Sequence, residues 1–594
     1  MDQYVLILSL GPVQGFIAAA RRSRDLWSGS WLLSEISKAA AASLREAGAS
    51  LVFPAPQSER DLKPDSDLSV GNKIQAVADA DDVAGIRRLC DAAKRAAQHR
   101  FAAIALRARK ELGGDTDLRA EIWDAQVGDY VECHAAWARI GENGYAAAVG
   151  AAGRALAARK ATRDFKPSAL APDDAGLMLP KSSLDGARET VLPETGGRTA
   201  RTLRRKLRLA DSEQLDCAGV VKRLGFKADQ FTPLSRIAAH AWLESLDAGT
   251  RAGIAAAYEP LAGLDLATRV SGNDAHYANF PYDAQLCYRF RLDAALRDAR
   301  GDADETDALS ALKACLLPIW KKFGEPCPYG VILLADGDQM GALLSEAGDA
   351  AAHVEITRAL SGFASGVAAQ VRAFSGHAIY AGGDDVLAFV PLDRAVACAD
   401  ALRAEFAAVL QPLARKLGTA SLPTLSVGLA IGHMLEPLGK LRELAGSAEK
   451  LAKGDHCGAL RRNALGIKLA IRSGATLDLR LRWDDHAGQQ AFADWQQAYR
   501  DGSIPSRVAY DTRAVHLRTC FALSADPPVP GIPAAEFARM LDRARTTQGS
   551  LLGAGIKAAL AARAANVRLD RLADELIAAR WLAARNQRDL GEKA

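Results

Sequence analysis

The stretch Tyr380-Ala381-Gly382-Gly383-Asp384-Asp385-Val386-Leu387-Ala388-Phe389-Val390 constrains this chain more than any other. Apolar residues of strand type flank two glycines and two adjacent carboxylates, a pattern that reads as a β-hairpin with acidic side chains at its tip. Glycine permits positive φ and close backbone approach, and aspartate supplies the hard oxygen donors that Mg²⁺ prefers. Gly and Asp are also ordinary turn residues, so the hairpin needs a second feature before it speaks of chemistry.

That feature is Tyr329-Gly330-Val331-Ile332-Leu333-Leu334-Ala335, an apolar run of strand length that ends in Asp336-Gly337-Asp338-Gln339-Met340-Gly341. Carboxylates at the carboxyl end of a strand lie where sheet proteins usually bind ligands. The spacing of Val354, Ile356, Leu360, Phe363, Val367 and Val371 predicts a helix over 353–374. Strand, helical crossover and hairpin together place Asp336 beside Asp384 and Asp385 on neighbouring strands. Three such carboxylates suit two-metal phosphoryl or nucleotidyl transfer, with ions about 4 Å apart. The residues after Asp338, Gly341 among them, are expected to open a helix whose free N–H groups favour phosphate oxygens. Residues 424–431, Thr-Leu-Ser-Val-Gly-Leu-Ala-Ile, read as another strand of the same sheet. A helix over 437–453 follows, with Lys450 and Lys453 as candidate triphosphate contacts; a solvated helix face is the plain alternative for both.

The Asp336-Gly337-Asp338 element, the Gly382-Gly383-Asp384-Asp385 hairpin, the Ser426-Val427-Gly428 strand and the Ala448-Glu449-Lys450-Leu451-Ala452-Lys453 helix resemble the catalytic palm shared by diguanylate cyclases and the large subunit of type III CRISPR effector complexes. Diguanylate cyclases usually follow the glycine pair with an acidic residue, Glu and Phe, whereas this chain has Asp384-Asp385-Val386, and Asp336 to Gly341 also resembles the CRISPR branch. The amino-terminal part agrees. A strand at 4–10 runs into Gly11-Pro12-Val13-Gln14-Gly15-Phe16-Ile17 and then Arg21-Arg22-Ser23-Arg24-Asp25-Leu26-Trp27-Ser28-Gly29-Ser30. This is similar to the first palm-like domain of the large subunit of type III-B, or Cmr, complexes. Further matches are Pro180 to Glu189, Glu213 to Asp216 with Val221 to Leu224, and Ser235 to Ala238.

The resemblance implies an α+β chain with two ferredoxin-like palms, of the nucleotide cyclase and polymerase type, and helical domains between and after them. It implies a target-RNA-activated cyclase that converts ATP into cyclic oligoadenylate messengers and releases pyrophosphate. Asp336, Asp384 and Asp385 would bind two ions, Mg²⁺ or Mn²⁺, with the Gly337 carbonyl as a further ligand, and Gly382 and Gly383 would let the hairpin approach the nucleotide. Whether Asp385 or a metal-bound hydroxide takes the hydroxyl proton stays open. Ser426 and Tyr380 are weaker candidates for an adenine pocket, and a structural role suits each equally well. The acceptor nucleotide would lie against the first palm, where residues 4–16 carry no carboxylate. The implied partners are the other Cmr subunits, a guide CRISPR RNA and its complementary target RNA. Two other readings remain: a nucleotidyltransferase joining AMP to another small molecule, and a scaffold capping an RNA-binding complex.

Many relatives carry an amino-terminal His-Asp nuclease domain, but no His-Asp dipeptide occurs here, so no DNA cleavage is expected. Relatives also often hold zinc near the element that here contains Ser182 and Ser183, so no zinc is expected. The nine cysteines are scattered without a Cys-x-x-Cys pair, which argues against a disulfide framework and a zinc ribbon. No apolar stretch is long enough to span a bilayer, and no signal peptide precedes the first strand; a cytoplasmic setting without a membrane partner is the expectation.

A net charge of +4 over 594 residues does not by itself announce a nucleic-acid binder. Local basic clusters do more: Arg21, Arg22 and Arg24, and Arg198, Arg201, Arg204, Arg205, Lys206 and Arg208, each of which suits RNA phosphates, a protein partner or plain solvent. The predicted organisation has four parts. Residues 1–225 form a first, non-catalytic palm with an irregular insertion near 166–197. Residues 226–325 form a mainly helical domain that packs between the palms, with strand or loop at 277–292. Residues 326–475 form the catalytic palm, and 476–594 a helical bundle that buries positions such as Phe537, Leu541, Leu572, Leu576, Ile577 and Trp581.

Overall fold

The computed structural model describes residues 2–591 except 114–117, 163–177, 194–202, 205, 211, 227–230, 271–276, 300, 472, 473, 475, 520–530, 547 and 548. Residues 166–177 and 194–197 of the insertion at 166–197, and Arg198, Arg201 and Arg205 of the basic run, lie outside the described residues. Two sheets organise the chain. The first contains β1 (Asp2–Gly11), β2 (Ser50–Phe53), β3 (Lys73–Ala80) and β4 (Glu132–Arg139) in the order β2-β3-β1-β4. All its pairings are antiparallel. Successive side chains of a strand point to opposite faces. Leu6, Leu8 and Leu10 therefore pack with the helices Ser23–Glu46 and Val83–Leu112, while Val5 and Ile7 pack with Ala148 and Ala152 of Gly144–Ala161.

The second sheet contains β5 (Tyr329–Asp338), β6 (His377–Gly382), β7 (Asp385–Val390), β8 (Thr424–His433), β9 (Ala464–Leu469) and β10 (Leu477–Arg482). Its order is β10-β9-β8-β5-β7-β6, and the inner part β6-β7-β5-β8 repeats the connectivity of the first sheet. The fold is thus α+β with two ferredoxin-like palms. The predicted helix at 353–374 is Ala350–Ala373, started by the Asp349 carboxylate, which accepts the Ala352 N–H at 2.8 Å. Together with Ala395–Lys416 it covers the face of β5 that carries Val331, Leu333 and Ala335.

The second palm does not stop at 475. β10 pairs antiparallel with β9, so the sheet extends into the part expected to be helical. Leu477, Leu479 and Leu481 face the core while Asp478 and Arg480 do not; six residues of alternating pattern are easily lost beside long helices. The carboxyl-terminal helices then share this core. Leu572, Leu576, Ile577 and Trp581 of Leu569–Ala583 are buried in the same cluster as Val331 and Leu429, and the Trp581 ring meets Tyr329 edge-on at 4.6 Å.

Between the palms lie helices such as Ala248–Gly263 and Ala303–Phe323 with a core of their own. In the segment 277–292, Tyr282 makes an isolated bridge to Arg269, and the helix Arg289–Asp298 begins before the segment ends. The second face of the catalytic sheet, with Ile332, Leu387, Phe389 and Ala430, packs against Leu26 of the long first-palm helix. Phe231, Leu234 and Ile237 of the intervening segment and Leu441 and Ala445 of Leu438–Lys453 complete this cluster. One apolar cluster thereby joins all three parts, and Asp336 stands on the same face, two and four residues beyond Leu334 and Ile332.

Candidate active site

Strand register assembles the site. β5 is the central strand, paired antiparallel with β7 through Ala335↔Val386 and with β8 through Asp336↔Ser426. One further step along β5 and β7 brings Asp336 opposite Asp385. The turn between β6 and β7 holds Gly383 at φ +80°, a conformation that glycine adopts without strain. Gly337 is required for a different reason: a Cβ there would stand 2.7 Å from the Asp384 Cβ and 2.9 Å from the Met340 Cγ. A side chain at 337 would push the hairpin off the strand. At Gly382 the phenol of Tyr380 takes the space of a side chain, whereas a Cβ at Gly341 would meet nothing within 4 Å.

The three expected aspartates converge, and their electrostatics show the crowding. Asp336 and Asp385 share a hydrogen bond. Burial alone would raise the Asp336 carboxyl, but the bond from Asp385 and the Lys453 ammonium hold it below the ordinary range. Asp385, at the open mouth, is pushed up to about 8 by loss of water on its protein side, then by the bond to Asp336 and the charges of Asp336 and Asp384. Asp384 is also raised, by burial first and by the Asp336 charge against the pull of its own backbone N–H. Tyr380 rises to about 12 through burial and both hairpin carboxylates.

Lys453 is the cation of the site. Its ammonium pairs with Asp336 and, at 2.6 Å, with Glu449. The close docking of Leu438–Lys453 on the sheet places it there. Gly428 on β8 and Gly466 on β9 are register partners. A Cβ on Gly428 would lie 2.6 Å from the Ala448 carbonyl carbon, and one on Gly466 2.7 Å from the Ala452 nitrogen. Two glycines side by side let the helix backbone rest on the strands, so its last turn reaches Asp336. Lys450, the other lysine candidate, is exposed, and among the described residues it makes no ion pair with the aspartates.

Ser426 is placed differently from the sequence expectation. It is fully buried, and its hydroxyl lies 2.8 and 3.0 Å from the two oxygens of Asp338, so it is not exposed to an adenine. Its β8 register turns it to the strand end rather than to open space. Asp338, unassigned from sequence, is the buried pin of the site. It also accepts from the Thr424 hydroxyl at 2.8 Å, the Asn463 N–H at 3.2 Å and the Arg462 guanidinium at 3.3 Å. The two hydroxyls at Thr424 and Ser426, two residues apart on one strand face, were the readable signal for it.

Among the described residues no group of three or more His, Cys, Asp or Glu side chains stands ready to hold a metal ion. The ammonium of Lys453 is the positive charge that faces Asp336. The donor set nevertheless fits a hard divalent cation: only carboxylate oxygens, carried by a rigid strand end and its paired hairpin.

Two family models match this chain. The second palm domain of Cas10/Cmr2 matches residues 329–465, and the amino-terminal part of the CRISPR-associated protein Cmr2 matches residues 5–205. Together they cover more than half of the chain. The chain belongs to the Cas10/Cmr2 family. A curated family member, the CRISPR system Cmr subunit Cmr2 of Pyrococcus furiosus, is 28% identical over 239 residues, which is 35% of this chain and 26% of that relative. The chain therefore aligns with only about a quarter of this relative's length. Among solved structures, the type III-B Cmr-beta complex in its apo state contains a chain with TM-score 0.62 and 12% identity, covering 93% of this chain and 78% of that one. The Cmr-beta complex bound to cognate target RNA gives TM-score 0.58 and 13% identity over 86% and 76%. At such identities the likeness concerns the fold. No described helix is long and apolar enough to cross a membrane.

Proposed function

We propose that this chain is the nucleotide-polymerising large subunit of a type III-B CRISPR complex, making cyclic oligoadenylates from ATP when target RNA is bound. The observation that carries the reading is the Asp336, Asp384 and Asp385 cluster at the end of the second palm, with Lys453 held against it. Two Mg²⁺ or Mn²⁺ ions on these carboxylates would supply the charge that activates a ribose 3′-hydroxyl and stabilises departing pyrophosphate. Lys453, which pairs with Asp336 in this structure, would turn its ammonium to the β- and γ-oxygens of a bound triphosphate. Asp338 fixes the end of β5, so Asp336 keeps its position while charge around it changes. The attacking hydroxyl oxygen bonds to the α-phosphorus, the bond to the pyrophosphate oxygen breaks, and a last intramolecular attack closes the ring.

The family membership and the shared fold with chains of Cmr-beta complexes support the other Cmr subunits, guide RNA and target RNA as partners, and a cytoplasmic setting follows from such partners. The test is product analysis of the reconstituted complex with ATP, Mg²⁺ and matching or non-matching target RNA, in wild type and Asp384→Ala/Asp385→Ala. Ring-closed oligoadenylates that need both matching RNA and the aspartates are expected. AMP joined to another acceptor would replace the proposed product, and untouched ATP under every condition would leave the scaffold reading.

A further inference from the structure

A second charged cavity lies far from the carboxylates. It measures about 490 Å³ and opens where the first palm, the intervening helical part and the second palm meet. Arg21, Arg22, Arg24 and Arg208 come from the first part, Arg291 and Asp283 from the second, and the wall of residues 434–439 from the third. This wall follows the His433 end of β8, whereas Ser426 marks the carboxylate end. Seven residues of strand separate the two, about 23 Å.

The charge balance is unusual for a half-buried junction. Five arginines line the cavity against the carboxylates of Asp283 and Glu436. The Arg22 guanidinium donates to the Arg208 carbonyl, which draws the two basic segments together. Arg24 is half-buried with its guanidinium 5.4 Å from the centre of the Phe226 ring. Among the described residues no carboxylate forms an ion pair with Arg24, Arg208 or Arg291. Burial, and then Arg208 beside it, pulls Arg24 down to about 10. Asp283 is fully buried and spends its oxygens on the backbone N–H groups of Thr268 and Gln285 at 2.9 and 3.2 Å. Asp283 offsets part of the charge on Arg24 and Arg208, yet five guanidinium groups against two carboxylates leave the lining net positive, a charge that a bound anion would neutralise. Planar guanidinium groups converging from three segments suit phosphate oxygens, and Val270, Met434 and Leu438 offer an apolar wall for a base. The volume is that of a pocket for a small ligand.

We propose that this junction binds the phosphate groups of a nucleotide, either free in solution or at the end of an RNA strand. A ligand there touches all three parts of the chain and so stabilises one placement of the palms. The site does not depend on the carboxylate cluster or on the reaction proposed for it.

The test uses the full-length chain in EDTA, where the carboxylates have no divalent cation through which to hold phosphate. Equilibrium dialysis is run with labelled tripolyphosphate, ATP and a 5′-phosphorylated RNA dinucleotide. Wild type is expected to bind about one equivalent, and Arg24→Ala/Arg208→Ala to weaken binding by roughly tenfold or more, as for loss of charge-assisted hydrogen bonds. Lys453→Ala should leave it unchanged. Preference for ATP or for the dinucleotide identifies a free nucleotide or a strand end. Far-UV circular dichroism checks the fold; if the double variant unfolds, exposed Arg291→Ala takes its place with the same expectation. No binding by wild type, binding indifferent to the arginines, or binding lost in Lys453→Ala would each overturn the proposal.

Discussion

The docking of Leu438–Lys453 onto β8 and β9 yields the sharpest prediction. Gly466→Ala places a methyl group 2.7 Å from the Ala452 nitrogen and against the Ala448 carbonyl, where ordinary contact begins at 3.4 Å. The obstacle is helix backbone, so no side chain can turn aside. The Ala452 nitrogen alone demands a retreat of about 0.7 Å and the nearer Ala448 carbonyl oxygen demands about 1 Å or more, and overpacking of this kind costs roughly 1–3 kcal/mol. Lys453 ends that helix and retreats with it. Displacements near 1 Å in catalytic groups can lower rates about 100-fold, so cyclisation should fall between roughly ten- and one hundredfold. The assay pairs the denaturation midpoint with oligoadenylate yield in the reconstituted complex. Gly446→Ala is the control: it lies in the same helix with nothing within 4 Å of the added methyl group. It should stabilise by about 0.5–1 kcal/mol through helix propensity, with full activity. A Gly466→Ala protein as stable and as active as wild type would refute the claim that glycine contact positions Lys453.

Asp338→Ala removes the acceptor of Ser426, Thr424, Asn463 and Arg462 and should destabilise the second palm by about 3–5 kcal/mol, with faster amide exchange in β5 and β8; unchanged exchange would contradict its pinning role. Lys453→Met leaves Asp336 without its ammonium, so KM for ATP should rise and kcat should fall by roughly 100-fold, whereas a structural role alone would lower stability and spare both constants. Asp25, fully buried, accepts two bonds from Arg223 at 3.1 and 3.2 Å. Burial would raise its carboxyl, but Arg223 and Lys222 hold it below the ordinary value. The folded state thus binds the proton more weakly than the unfolded chain. Its stabilisation is complete above the ordinary carboxylate pKa of about 4 and is lost as pH falls through the depressed folded value. Asp25→Asn should flatten the denaturation midpoint against pH in that window; an unaltered slope would assign the acid sensitivity elsewhere.

The elements that carry the carboxylates were legible because their signals are local. An apolar run ending in Asp336, a glycine pair before Asp384 and a 3.6-residue period at 353–374 each lie within one window, and the helix proved to be Ala350–Ala373. The strand expected at 424–431 is Thr424–His433, and the helix expected at 437–453 is Leu438–Lys453. β10 escaped because its short alternation sits beside longer helical periods.

The choice between Lys450 and Lys453 could not be read from sequence, because both lie within one helical turn and only the rotation of the docked helix decides. The same holds for Ser426, whose hydroxyl belongs to Asp338 through a pairing of strands 88 residues apart. The sequence by itself determined the strands, the hairpin and the three acidic residues, since backbone preference and side-chain period act between near neighbours. Tertiary structure alone decided which lysine neutralises Asp336, which aspartate is buried as an anchor, and that five arginines from two parts of the chain meet in one cavity. Those outcomes depend on register, helix docking and the shared apolar cluster between the palms, forces that join residues with no proximity in the chain.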